Sequence, residues 1–166
     1  MSSIQVREMH ISDWKRVRDI YKMGIEGGIA TFETEVPNWE EWNKSKLTYG
    51  RLVAEVEANV AGWIALTPYS SRQVYKGVVE LGIYVDPDYQ GRGIGSALIE
   101  SLLKICQKEG VWTIQAGVFP ENIASLALHQ KFGFNVVGRR EKIAQLHGEW
   151  KDVLLLEKKI KLYKFS

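Results

Sequence analysis

The segment Gln90-Gly91-Arg92-Gly93-Ile94-Gly95-Ser96 is the stretch of this chain best equipped to hold a ligand. Its glycines let the backbone approach a bound group closely. The apolar spacing of Ile94, Leu98, Leu102 and Ile105 predicts a long helix that begins inside it. The first N–H groups of a helix lack an intrahelical acceptor and lie at the positive end of its dipole, so a pyrophosphate is a natural guest. Arg92 adds a formal positive charge. A P-loop would need Lys and then Ser or Thr after the last glycine, and Ile94 and Gly95 to Ser96 supply no such lysine. A dinucleotide fold would place the glycines after the first strand of a βαβ unit, with an acidic residue about 20 positions on, but here the loop follows roughly the fourth strand and Glu109 ends a helix instead of a strand. By itself the pattern also fits a tight turn that opens a helix.

Other chemistry is sparser. His10, His129 and His147 have no metal-ligand spacing and no Cys/His cluster exists, so no metal is expected. Cys106, the lone cysteine, lies in an apolar periodic stretch and reads as a small buried hydrophobe in a reducing compartment. A net charge of +2 over 166 residues is too small for the footprint of a dedicated nucleic-acid binder, and the six tryptophans are scattered rather than interleaved with basic residues. No nucleic-acid partner is expected. Met1 to His10 lacks the apolar run of a signal peptide, and runs such as Val60 to Leu66 fall far short of the ~20 residues needed to span a bilayer. These absences predict a cytoplasmic protein with no membrane partner.

The elements that must position the loop follow from periodicity. Strands are predicted at Ile4–Glu8, Leu52–Val56, Val60–Leu66, Val78–Val85, Trp112–Val118, Asn135–Ile143 and Trp150–Leu156. Helices are predicted from a Ser12 N-cap to Gly27, over Trp39–Leu47, over Ile94–Glu109 and over Ile123–Phe132. Between them, Ile29 to Pro37 is a loop long enough to have a role of its own. Hairpins mixed with βα crossovers give an α/β (α+β) fold, with one mixed sheet and helices on its faces.

The glycine loop resembles the acyl-CoA pyrophosphate loop of the GNAT superfamily of N-acetyltransferases, Q/R-x-x-G-x-G/A, and Asn122 to Phe134 (NIASLALHQKFGF) is similar to the superfamily's later helix and Gly-Phe turn. The resemblance narrows to the phosphinothricin acetyltransferase group. It is carried by Ile29–Pro37, Leu52–Ala65, Arg72–Asp88 and Gly148–Leu156 and covers Ile4 to about Lys158. It implies one N-acetyltransferase domain over residues 1–166, a mostly antiparallel sheet of about seven strands with about four helices, acetyl-CoA as cosubstrate, a small-molecule amine as acceptor, and a homodimer.

The resemblance also implies roles for residues. Ile83, Tyr84 and Val85 would hold the pantetheine arm, Gly91, Arg92, Gly93, Ile94, Gly95 and Ser96 would wrap the pyrophosphate, and Asn122 would contact CoA near its thiol. Glu80 would be the general base, and a carboxylate in a partly desolvated cleft has the raised pKa that suits this. His129 stands where many relatives carry a tyrosine that protonates the thiolate, and an imidazole suits proton traffic near neutrality. Arg72 and Tyr75, with Ser70 and Ser71 beside them and Phe32 as an apolar wall, would contact an acceptor of the phosphinothricin or methionine sulfoximine or sulfone type. Arg72 would supply the cation for its carboxylate. Trp150 and Asp152 match a late Trp-x-Asp that pins the last strands or a subunit contact.

There are departures. Leu81 and Gly82 replace the His and Ser of many relatives, and Asp88-Tyr89 and Glu141 to Leu146 also differ. They bear on the acceptor: a polyamine, an aminoglycoside antibiotic or a peptide N-terminus is the alternative, although the basic loop Ser70 to Lys76 argues against a cation. A module that senses acyl-CoA without turnover is the other class, and its expected mark, loss of Glu80 and His129, is missing.

Overall fold

The computed structural model describes residues 3–161. In chain order these form β1 (Ile4–Glu8), α1 (Trp14–Gly27), α2 (Trp39–Ser45), β2 (Leu52–Val56), β3 (Asn59–Pro68), β4 (Val78–Val85), α3 (Ile94–Lys108), β5 (Thr113–Val118), α4 (Ile123–Lys131), β6 (Asn135–Leu146) and β7 (Glu149–Lys159). The strands make one sheet in the order β1-β2-β3-β4-β5-β7-β6. Neighbours are antiparallel except β4 and β5, which are parallel and joined through α3. The α/β sheet of seven strands with four helices is the architecture expected.

Period-two alternation divides the central strands between two cores. Leu52, Ala54, Ile64 and Leu66 face the apolar stripe of α3, made by Ile94, Leu98, Ile99, Leu102 and Cys106, while Val53, Trp63 and Ala65 face Val17, Ile20 and Tyr21 of α1 and Trp42 of α2. Each fully buried Leu or Ile contributes roughly 1.5–3 kcal/mol, so the sheet is clamped from both sides before any polar contact is counted. Cys106 is buried at 0 % exposure, and that apolar setting pushes its thiol up to about 12.

Polar contacts then fix the helices. Arg7 holds the Asp13 carboxylate with two bonds of 2.8 and 2.9 Å and also reaches Glu55 at 3.0 Å. Asp13, whose Oδ2 also accepts from the His10 N–H at 2.8 Å, therefore anchors the start of α1, and not Ser12 as the sequence suggested. Arg16 on α1 donates to the Val60 carbonyl at 2.7 Å and to Asp86 at 2.8 Å, and Asp86 accepts from the Asp88 N–H at 2.9 Å. The end of β4 is thus tied to α1 where the glycine loop begins.

The two tight hairpins use left-handed backbone. Glu57 and Ala58 turn β2 into β3 with φ of 52° and 67°, and His147 with Gly148 turns β6 into β7 with φ of 50° and 81°. Such turns match the twist of the paired strands.

Candidate active site

The cleft comes from one register feature. β4 and β5 pair only over Val78↔Thr113, Val79↔Ile114 and Glu80↔Gln115, yet β4 continues to Val85 and β5 to Val118. From Leu81 onward β4 has no strand partner on that side, and the gap between the splayed strands opens into two adjoining compartments of about 460 and 470 Å³. Ile83, Tyr84, Asn122 and Ser125 line both.

The first compartment has the glycine loop as its floor. Gly91 and Gly93 adopt φ of 75° and 83°, a left-handed conformation that side chains resist. The first helical bond of α3 runs from the Ala97 N–H to the Gly93 carbonyl at 3.0 Å, so the N–H groups of Ile94, Gly95 and Ser96 have no helical acceptor. Gly91, Gly93, Ile94, Gly95, Ser96 and Val85 all line this space. A Cβ on Gly95 would stand 2.8 Å from the Leu128 side chain, so the glycine lets α3 and α4 come together beside the loop. This cradle of unpaired N–H groups at a helix N-terminus fits a pyrophosphate.

Arg92 is not among the lining residues. Its guanidinium lies over the Tyr89 ring, 5.2 Å from the centroid, and Tyr89 rather than Arg92 faces the compartment. A second cation not named from the sequence, Lys131 on α4, is tied to the loop by donating to the Ser96 hydroxyl at 2.9 Å, although it too lies outside the lining. Asn122 caps α4, its Oδ1 accepting from the Ser125 N–H at 3.2 Å while its Nδ2 donates to the Ile29 carbonyl at 3.3 Å. It therefore links α4 to the loop after α1.

The second compartment collects side chains from across the chain, including Phe32, Glu33, Lys46, Thr67, Glu80, His129 and Arg140. Glu80 is reached by solvent through the open cleft. Even so, the surrounding protein desolvates it enough to raise its carboxyl above the ordinary range, with the charge of Lys46 opposing the rise. Burial in turn lowers the Lys46 ammonium, and Glu80 and Glu33 raise it. Phe32 packs edge-on against Phe119 with centroids 4.8 Å apart, forming an apolar wall.

His129 is 2 % exposed, and burial lowers its pKa. Its Nδ1 lies 2.7 Å from the Ser125 carbonyl oxygen, which assigns the ring proton to Nδ1. The neutral ring then carries a bare lone pair at Nε2, and this atom is buried without a partner. Tyr84 lines both compartments and Tyr21 the second, their rings packed 4.8 Å apart with Trp63 stacked on Tyr84 at 4.9 Å. Desolvation keeps both phenols neutral, Tyr21 being pushed up to about 12.

Ser70, Ser71, Arg72 and Tyr75 lie in the β3–β4 loop and line neither compartment. The Arg72 guanidinium covers the Tyr75 ring at 5.6 Å, and Tyr75 packs against Tyr69 at 5.2 Å. Asp152 pins the bulged β6–β7 hairpin by accepting from Arg139 at 2.7 and 2.8 Å and from the Lys142 N–H at 2.8 Å. Among the described residues, no group of three or more His, Cys, Asp or Glu side chains could hold a metal ion, and no helix is long and apolar enough to cross a membrane.

Comparison with known proteins agrees with this geometry. The Acetyltransferase (GNAT) family model matches residues 14–134, from α1 through the glycine loop to the turn before β6. The chain is 32% identical over 154 residues to the phosphinothricin N-acetyltransferase of Streptomyces viridochromogenes, covering 90% of this chain and 84% of that one. It is 25% identical over 162 residues to the L-methionine sulfoximine/L-methionine sulfone acetyltransferase of Pseudomonas aeruginosa, covering 93% and 94%. The crystal structure of a phosphinothricin acetyltransferase from Sinorhizobium meliloti in complex with AcCoA superimposes with a TM-score of 0.87 at 28% identity, covering 95% of this chain and 88% of that one. A sheet parted over a glycine-floored cradle, matched by that family across most of its length, places the chain in the acetyltransferase (GNAT) family as an acetyl-CoA-dependent N-acetyltransferase.

Proposed function

We propose that the enzyme acetylates the free amine of a small amino-acid-like acceptor, of the phosphinothricin or methionine sulfoximine and sulfone type. The observation that carries this reading is the two-compartment cleft, with an anion cradle at one end and Glu80 at the other. The named activities of the similar enzymes support the acceptor class. So does the charge of the second compartment, where Glu33 and Glu80 are balanced by Lys46 and Arg140. Such a wall suits a zwitterion, and a polyamine would meet two cations in it.

Acetyl-CoA, when bound, supplies the acetyl group as a thioester. The N–H groups of the 91–96 loop would hold its diphosphate, with Arg92 and Lys131 adding positive charge at the rim. The free edge of β4 at Ile83, Tyr84 and Val85 would hold the pantetheine arm and polarise the acetyl carbonyl. Asn122 would fix the approach of α4 to that arm. Glu80 would take the proton from the acceptor ammonium, directly or through water, which frees the amine lone pair to attack. His129 would enter as a neutral base, because burial disfavours its charged form. Its Nε2 would receive a proton as the C–N bond forms and release it toward the departing sulfur. Phe32 would pack against the acceptor's aliphatic part, and Ser70, Ser71, Arg72 and Tyr75, just beyond the Thr67 and Glu80 end of the cleft, would meet its distal tail.

The same reading takes residues 1–166 as one catalytic domain working in the cytoplasm as a homodimer. Exposed apolar side chains on the last two strands support the dimer: Val136, Val137 and Ile143 of β6 and Trp150 of β7 are 46–58 % exposed, and Ile143 also lines the acceptor compartment.

The test is thiol release from acetyl-CoA across phosphinothricin, methionine sulfoximine, methionine sulfone, common amino acids, spermidine and a short peptide. Saturable turnover confined to the first three supports the reading. Turnover of spermidine or the peptide alone would replace it with another amine, and silence with CoA still bound would replace it with an acyl-CoA sensor.

A further inference from the structure

Lys46 stands directly after α2, and its backbone is held from two sides. The Arg51 guanidinium donates to the carbonyls of Asn43, Lys46 and Leu47 at 2.8, 3.0 and 2.7 Å, and the Leu47 N–H donates to the Leu66 carbonyl at 2.8 Å. The segment is thereby strapped to β3. The Lys46 side chain runs over the next residue of that strand, donating to Thr67 Oγ1 at 3.3 Å. Thr67 is the cross-strand partner of Glu80, and residues directly opposite in an antiparallel pair share a face with Cβ atoms about 5 Å apart. The ammonium and the carboxyl are therefore neighbours on the wall of the acceptor compartment.

They are neighbours without touching. Among the described residues Lys46 forms no ion pair, with Glu80 or with any other acid. An ammonium has three donors, and Thr67 takes one. The rest of this half-buried cation is unspent, and the space beside it is the cavity.

We infer that Lys46 holds the carboxylate of the acceptor, standing beside Glu80 so that the two side chains face the adjoining carboxylate and amine of an α-amino acid. The inference rests on the amino-acid-like acceptor proposed above and gives it a residue. An α-amino acid carries its two charges on one carbon, and so needs a cation and a base close together but not neutralising each other. Arg51 is a positioning residue in this arrangement, since it fixes the segment from which Lys46 projects.

The experiment compares wild type with Lys46→Met on methionine sulfone, its carboxamide and the corresponding decarboxylated amine, by thiol release at saturating acetyl-CoA. Wild type is expected to prefer the free acid. Lys46→Met is expected to raise the KM for the acid by roughly ten- to a hundredfold, as loss of a hydrogen bond to a charged group does. The KM for the carboxamide and for acetyl-CoA should stay within about twofold, since neither carries the charge that Lys46 meets. Lys46→Arg should keep the preference for the acid. Thermal melting checks that the variants fold. If Lys46→Met does not, Thr67→Val carries the test, because it removes the hydroxyl that steers the ammonium and should raise only the KM for the acid. An unchanged acid-to-amide ratio in these variants overturns the role of Lys46 and leaves the acceptor class standing. Wild type that takes acid and amide alike, or neither, overturns the acceptor class and Lys46 with it.

Discussion

The donor compartment is built from backbone and the acceptor compartment from side chains, and the two make different demands on the sequence. The donor end draws most of its lining from one short run, Ile83 to Ser96, where left-handed glycines and a helix start present unpaired N–H groups. Arg92, the most conspicuous charge in that run, is turned onto Tyr89. The acceptor end brings Glu33, Lys46, Thr67, Glu80, His129 and Arg140 together from separate elements. On the proposed reading, substrate class is set by residues far apart in the chain and cofactor class by a contiguous motif. Substitutions at the two ends should separate cleanly in kinetics.

The largest effect should come from Glu80. Replacing it with Gln keeps the shape and takes away the proposed base, so kcat should fall by roughly 10²- to 10⁴-fold while CoA affinity holds. A pH profile sharpens this. The base works ionised, and the cavity raises its pKa, so kcat/KM should climb with pH through an apparent pKa above the ordinary carboxylate range. The charged groups and the histidine that share the compartment with Glu80 are Lys46, Glu33, His129 and Arg140, and Lys46 is the one whose charge opposes the rise. Glu80→Gln should abolish the limb, and a variant with full activity and the same profile would move the base elsewhere.

His129→Asn comes next. The Asn amide can keep the hydrogen bond that Nδ1 gives to the Ser125 carbonyl, but nothing replaces Nε2. If Nε2 relays a proton, kcat should drop by roughly a hundredfold with both KM values little changed. If the ring only packs against Phe134, to which it stands edge-on at 5.2 Å, kcat should hold and only the melting temperature should move.

The same contrast explains what could be read before the structure. β1, β2 and β4 fall on the predicted residues, and α3 is foreseen to within a residue, because alternation in β1, the apolar β-branched run of β4 and the helical stripe of α3 are all local signals of packing against one core. β6 and β7 run longer than predicted since most of the added residues are polar and are held by strand pairing, with Leu146 the buried exception. The donor cradle was legible for the same reason as α3: its signal is local. Lys46 was not, because nothing near it in sequence reveals that Arg51 and Leu66 strap it across Thr67. Arg72 stands out in the sequence because the family resemblance aligns it with the substrate loop and an amino-acid-like acceptor needs a cation, whereas the fold sets that loop outside the cavity lining.

At the donor end, Gly93→Val tests backbone against side chain. Gly93 has a φ of 83° and an added Cβ would stand 3.7 Å from Ile4, an ordinary contact, so the penalty is conformational rather than steric. A left-handed L residue costs roughly 1–2 kcal/mol. The loop should relax out of its cradle, raising the KM for acetyl-CoA by roughly tenfold and leaving the acceptor KM alone. A Gly93→Val enzyme with a normal acetyl-CoA KM would mean that side chains, not the glycine backbone, hold the donor.

The smallest effect should be that of Arg72→Ala, and its size separates two ways of binding the acceptor. If Arg72 gripped the carboxylate, its loss would match that of Lys46. Its guanidinium instead lies over Tyr75 on an exposed loop, where a charge contact is screened and worth roughly 1 kcal/mol or less. A rise of about two- to fivefold in acceptor KM is therefore expected, with kcat and the acid-to-amide preference unchanged. The outcome is informative even at that size. Arg72 would then recognise the tail, which varies between acceptors, while Lys46 and Glu80 recognise the carboxylate and amine, which do not. The rise for Arg72→Ala should differ between phosphinothricin and methionine sulfone, whereas that for Lys46→Met should be the same for both.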